Sequence, residues 1–370
     1  MNYNELIYRL ALPLLPGIGV IGARNLLRAS GSATILFENR KELKDLIPDI
    51  PMRIIQALDA PDILQRCEAE IAFAEKNHIC CLTEEDTAYP SRLRECDDAP
   101  IVLFYRGTTD LNAQHIICIV GTRNATEYGK ETCKRFINEL HELLPQTLIV
   151  SGLAYGIDIH AHRAALQCNM ETIGVLAHGL DRIYPSVHRR TAIEMISHGG
   201  LLTEFPSGNT PDRQNFIKRN RIIAGLSDAT IVIESAEKGG SLITADIAES
   251  YHRDCFAFPG RINDTYSIGC NNLIHANKAT LIQHAEDVVK AMNWNKKKQL
   301  PPAIQRELFT ELTEPEKQIV SILQKYPEGL QVNSIVVESN IAINRLTSIL
   351  FELEMKGIVH ILAGGVYKLI

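Results

Sequence analysis

The chain has 370 residues, 45% of them hydrophobic and 22% charged, a soluble globular composition too long for one ordinary core, so two or three domains are expected. No apolar run reaches the roughly 18 residues that span a bilayer, and the start, MNYNELIYRL, lacks a signal peptide's basic opening and cleavage site. A cytoplasmic protein without a membrane partner is expected. The net charge of −6 excludes nucleic-acid binding over the whole surface and confines any such role to clustered Lys and Arg.

Nine cysteines occur without a CxxC spacing, which predicts reduced thiols, no disulfide framework and no zinc site. Residues 1–65 read as short helices around Leu15-Pro16-Gly17-Ile18-Gly19, with Ala23 and Leu26-Leu27 following at helical spacing. Two glycines in such a turn let the backbone come close to a phosphate, and the segment resembles a helix-hairpin-helix element. A degenerate second copy lies at Ile47-Pro48-Asp49-Ile50, without the glycines. Packing is the weightier reading of both. From Cys67 to Gly107 a helix precedes a strand after Pro100, with no chemistry in either.

Residues 115–292 alternate short buried runs with amphipathic helical stretches, the pattern of a mostly parallel α/β sheet. Strands are predicted at 115–120, 147–150, 172–176, 201–203, 229–233 and 255–258. Ligands of such sheets sit beyond the carboxyl ends of the strands, so the following turns are the candidate site. They carry Gly121-Thr122-Arg123, Ser151-Gly152, His178-Gly179, and Lys238 with Gly239-Gly240-Ser241. The run 215–226, NFIKRNRIIAGL, adds Lys218, Arg219, Asn220 and Arg221 at the opening of a buried helix. Backbone N–H nests together with arginines form a phosphate pocket. Each glycine turn also has a plain packing reading.

Several residues are read as structural. His160 and His162 are two apart and face different sides of a helix, so no metal is expected. Asp158 is expected to cap the helix it precedes, and Phe216 to anchor the core. Glu204 and Glu234 have no nucleophile or second acid beside them, so no catalytic residue is assigned. Neither GxGxxG nor GxxxxGK[ST] follows a strand, which leaves no nucleotide cofactor supported. Residues 296–312, with a lysine run and Pro301-Pro302, read as a linker. Residues 313–370 read as three helices and two strands joined at Gly364-Gly365, a winged helix-turn-helix. Its third helix offers only Asn344, Arg345 and Thr347 to a groove, which favours protein contact over DNA reading.

With these segments in order, IVGTRNATEYG (119–129), VSGLAYGIDIHAH (150–162), GLDRIYP (179–185), TEFP (203–206), FIKRNRIIAGLS (216–227), EKGGSLITA (237–245), FPGRI (258–262) and GCNNLI (269–274), the chain resembles the DprA/Smf family of bacterial DNA-processing proteins. The resemblance implies a helical SAM-like or helix-hairpin-helix domain at 1–65. It implies an extended Rossmann-like domain at 66–295 and a winged helix at 313–370. It further implies binding of single-stranded DNA, loading of the RecA recombinase in natural transformation and recombination, no catalysis, and a homodimer through the Rossmann-like domain. The pocket would use the Gly121 and Ser151 turns and Lys218 to Arg221. Ile217 departs from the proline usual after that phenylalanine. Two readings compete. One is a nucleotide-binding or nucleoside monophosphate-hydrolysing enzyme, because 238–246 partly matches the PGGxGTxxE motif of phosphoribohydrolases. The other is a winged-helix transcription regulator.

Overall fold

The computed structural model describes residues 2–40, 42–48, 50–294, 312–327, 329–362 and 365–369. Asp49, Gly364 and the predicted linker up to residue 311 lie outside them. The chain divides into two compact units, Met1–Asn295 and Lys296–Ile370.

Among the described residues the larger unit is built on nine strands: β1 (Cys80–Thr83), β2 (Val102–Gly107), β3 (Ile116–Val120), β4 (Leu148–Ser151), β5 (Thr172–Val175), β6 (Gly199–Thr203), β7 (Ala229–Val232), β8 (Asp254–Ala257) and β9 (Thr280–Leu281). Their order is β1-β2-β6-β5-β4-β3-β7-β8-β9. From β6 to β9 all pairings are parallel, while β2 joins β6, and β1 joins β2, antiparallel. The central strands β3 to β7 are buried throughout and mostly apolar because helices cover both faces. On one face, Ile222, Ile223 and Leu226 of the helix Arg213–Leu226 pack with Val120, Val150 and Val232. On the other, Phe136 and Ile137 of the helix Glu127–Leu143 and Ile157 and Ala161 of the helix Ile157–Gln167 pack with Ile117, Ile119 and Ile231. Within this unit β1 and β9 are missing from the sequence reading; both are short and show no period-2 alternation.

The N-terminal helices share a core with β2, where Leu12, Leu36 and Leu43 meet Ile101, Val102 and Phe104. The glycine turn uses left-handed backbone at Gly17 (φ +78°) and Gly19 (φ +59°), which a side chain would strain. Glu5 holds these helices together by accepting hydrogen bonds from Ala33 N at 2.9 Å, Thr34 N at 2.8 Å and Arg9 Nε at 2.6 Å.

The smaller unit has helices Glu314–Leu323, Val332–Ser339 and Ile343–Met355 and strands β10 (Leu330–Gln331), β11 (Val359–Leu362) and β12 (Val366–Leu369). The strands pair antiparallel in the order β10-β12-β11. Leu346, Ile349, Leu350 and Leu353 recur at helical spacing and close its core with Ile319 and Ile335.

Candidate nucleic-acid interface

After β3 the chain winds through β4, β5 and β6 to one side; β7, β8 and β9 then build the other. β3 and β7 are therefore neighbours whose following connections part, the switch point at which open α/β sheets take ligands. A cleft of about 990 Å³ opens there. One wall is Gly121-Thr122-Arg123, the other Ser235 to Ser241, and the side is the N-terminal half of the helix Arg213–Leu226.

Each wall has a local cause. At Gly121 a Cβ would overlap Ile157, so the glycine lets the helix Ile157–Gln167 pack against the turn. Thr122 N donates to Glu234 O at 2.8 Å, which ties the wall after β3 to the wall after β7. The buried Glu234 carboxylate then accepts from Thr126 N at 3.0 Å and from Thr126 Oγ1 at 2.5 Å. It straps two connections together. The helix Gly240–Ser250 starts in the cleft with Gly239 as its cap and no side chain on its free N–H groups, a partial positive charge that suits an anion. Ser241 is buried and donates to Ser235 Oγ at 2.9 Å.

The basic run divides across two faces of its helix. Arg213, Phe216, Ile217, Asn220 and Ile223 recur at helical spacing and line the cleft. Arg221 points away and pairs with Glu204 and Asp98 O, with Lys218 close enough to favour the Glu204 charge. Burial raises the Glu204 carboxyl and Arg221 opposes the shift. Lys218 and Arg221, three apart and so neighbours on the helix surface, are thus on the face toward Glu204 and outside the cleft. Arg219 reaches the cleft from below. It is 3% exposed, donates to Gly152 O at 2.7 Å and to Val175 O, and burial lowers its guanidinium to about 10.

Ser151 and Gly152 are not at the surface either. Ser151 Oγ donates to Ile119 O at 2.6 Å, and a Cβ at Gly152 would overlap the Arg219 guanidinium. Asp158 does not cap its helix: Gly156 holds that position at φ +76°, and Asp158 is buried beside Arg219, accepting from Ala154 N at 3.4 Å. Burial raises its carboxyl and the Arg219 charge opposes this.

Phe216 is not a core anchor. Its ring lies in the cleft with the exposed Arg123 guanidinium 4.7 Å from its centroid, Arg219 at 5.7 Å and Tyr184 at 6.1 Å. The sequence reading passed over Arg213 and placed Lys238 only in a candidate turn; both are exposed cations of the cleft. The spacing 213, 216, 217, 220, 223 carried the signal for Arg213. The acids Asp212, Glu237 and Asp246 line it too, so its field is mixed. The His188-Arg189-Arg190 cluster does not contribute: His188 is buried with Nδ1 2.8 Å from Leu153 O.

A strand-end cleft with an uncapped helix start, exposed cations and a half-buried aromatic ring, on a mostly parallel sheet, has the layout of a Rossmann-like protein. A family profile described as DNA recombination-mediator protein A matches residues 80–293. Protein Smf of Synechocystis sp. is 33% identical over 321 residues, 78% of this chain and 79% of that one. The structure of DprA from Streptococcus pneumoniae superposes with a TM-score of 0.58 at 33% identity, covering 74% of this chain and 98% of that one. DprA from Helicobacter pylori, whose structure is described as giving insight into a unique single-stranded DNA binding mode, reaches 0.53 at 29% identity over 58% of this chain and 96% of that one. The chain belongs to the DprA/Smf family of DNA recombination mediators.

Proposed function

We propose that this chain binds single-stranded DNA in the cleft between the β3 and β7 connections, without catalysis, and passes it to the RecA recombinase. The observation that carries the reading is the convergence of Arg123, Arg213 and Lys238 with the uncapped start of the helix Gly240–Ser250 around the Phe216 ring. Phosphates find cations and N–H groups; an unstacked base finds an aromatic face under a guanidinium. A duplex keeps its bases stacked inside and could not use Phe216. The single-stranded DNA binding described for the H. pylori relative supports the same ligand.

Of the residues first assigned, Gly121, Thr122, Arg123, Gly239 and Gly240 form the contacting rim in this reading. Arg219, Asn220, Ser241, Ser151 and Gly152 form its floor and support, and Lys218 and Arg221 serve the fold. RecA loading accords with a family described as recombination mediators, and a homodimer through the Rossmann-like domain is proposed on the family resemblance alone. The hydrolase reading is weaker because Asp246 is held by Lys278 Nζ at 2.8 Å and Asp158 lies beside buried Arg219.

Anisotropy titration of the full chain with matched single- and double-stranded oligonucleotides tests the reading. Single strands are expected to bind tighter, and Arg123→Ala to weaken that binding about tenfold, the loss of one charge and one stacking partner (~1.4 kcal/mol). Equal binding of both forms, or an Arg123→Ala protein indistinguishable from wild type, defeats the site. RecA filament formation on protein-coated single strands, sedimentation at several concentrations, and release of base from nucleoside monophosphates test the remaining assignments.

A further inference from the structure

A second cleft of about 950 Å³ lies beyond the end of β8, lined by both partners of the Glu234–Thr126 strap, which neighbour in sequence the Arg123 and Ser235 walls of the first. Residues 120–123 and 235–241 wall the first cleft, whereas Thr126, Tyr128 and Glu234 wall the second. The two clefts therefore stand back to back along one rim of the sheet. The outer wall of the second is the loop 259–267, and several hydrogen bonds hold it in shape. Asn271 accepts from Gly260 N at 3.2 Å and donates to Gly260 O at 3.1 Å. Tyr128 Oη donates to Pro259 O at 3.0 Å, and Ser235 N to Tyr266 O at 2.7 Å. Because the wall is braced on both sides, the cleft exists before any ligand arrives.

Its lining differs in kind from that of the first. Arg261 is its cation and stands exposed. Tyr128 is 49% exposed although its hydroxyl is engaged, so the ring is the part offered to solvent. Asn263 and Thr265 add exposed donors and acceptors, while Asp264 is an exposed acid. With one exposed cation against one exposed acid, the field cannot hold several phosphates. The chemistry suits bases more: an aromatic face for stacking, amide and hydroxyl groups for base edges, and a guanidinium for one phosphate.

We infer that this second cleft is a further station for the same single strand, taking the nucleotides that cross the Glu234–Thr126 ridge, with Tyr128 as stacking platform and Arg261 as phosphate contact. The inference rests on the single-strand binding proposed above and extends it to a segment that no other observation assigns.

Titration of the full chain with a short oligothymidylate that fills one cleft (about 4 nucleotides) and a longer one that crosses the ridge (about 12) tests it. Arg261→Ala and Tyr128→Ala are each expected to weaken the longer oligonucleotide three- to tenfold and to leave the short one within twofold. Tyr128→Phe, which keeps the ring and loses the bond to Pro259, is expected to retain the longer one's affinity. The salt slope for the longer oligonucleotide should fall by about 0.7 in Arg261→Ala. If both alanine variants bind the two lengths as wild type does while Arg123→Ala weakens both, the second station is wrong and the first cleft stands. If Arg123→Ala binds both lengths normally, the single-strand reading itself has failed and this inference falls with it.

Discussion

Arg219 shows how burial changes the meaning of a residue that reads as a ligand contact. A guanidinium at 3% exposure that spends its donors on Gly152 O and Val175 O organises the floor between β4 and β5. Gly152 is the other half of that arrangement, since any Cβ there would overlap the guanidinium. Gly152→Ala is expected to cost about 1–3 kcal/mol as overpacking, read as a lower urea midpoint. Arg219→Ala is expected to destabilise as well as to weaken binding, unlike Arg123→Ala. Full stability in Gly152→Ala would mean the floor is not packed as described.

His162 carries a pH dependence of the fold. Burial, aided by His188 and Arg219, pushes its imidazole down to about 3, with Nδ1 2.7 Å from Thr172 Oγ1 and Nε2 accepting from Leu153 N at 3.3 Å. In the unfolded chain the ring titrates near 6.5, so below that pH the unfolded state takes up a proton that the native state refuses until about 3. Stability is therefore expected to be intact above about pH 6.5 and to fall on acidification, by up to ~1.4 kcal/mol per pH unit from this group. Urea midpoints at pH 7 and pH 5 measure the slope, and His162→Gln should flatten it. An unchanged slope in that variant would place the acid sensitivity elsewhere.

At the scale of elements, the helix Arg213–Leu226 does two jobs on two faces. Arg213, Phe216 and Asn220 face the cleft, while Lys218 and Arg221 face Glu204. Arg213→Ala is expected to weaken single-strand binding several-fold, and Lys218→Ala, four positions from Ile222, to leave it within twofold; the same anisotropy assay separates them. A larger loss from Lys218→Ala would mean that the strand runs over the other face. The basic cluster was legible as letters, yet its division followed from a period that applies only once the helix start at Arg213 is known. Phe216 misled for a related reason, because an aromatic beside apolar residues reads as core unless its face is known.

At the scale of the whole molecule, the cleft is a property of strand order. Only because β7 returns beside β3 do Gly121-Thr122-Arg123 and Lys238-Gly239-Gly240, more than a hundred positions apart, share one crevice. With Arg123, Arg213 and Lys238 as its exposed cations, about 0.7 per phosphate gives a slope of log affinity against log salt near −2 for a short oligonucleotide. A slope several times steeper would require a larger basic surface. The cleft belongs wholly to Met1–Asn295, so truncation after residue 295 is expected to keep short-oligonucleotide affinity within about threefold; complete loss would move the main contact to the C-terminal unit. That unit exposes Ile343, Phe351 and Met355 along its longest helix, an apolar stripe unsuited to reading a groove.

Periodicity and turn chemistry by themselves determined the α/β class, the six central strands to within one or two residues, and the phosphate-suited turns after them. These features are local: a side-chain period of two or of 3.6 and a glycine after a strand need no distant partner. Tertiary structure alone decided which turns meet, which arginine is buried and which is wet, and that Ser151 and Gly152 support the cleft from beneath. Those outcomes depend on strand order and on packing between residues far apart in the chain, quantities that no local pattern encodes.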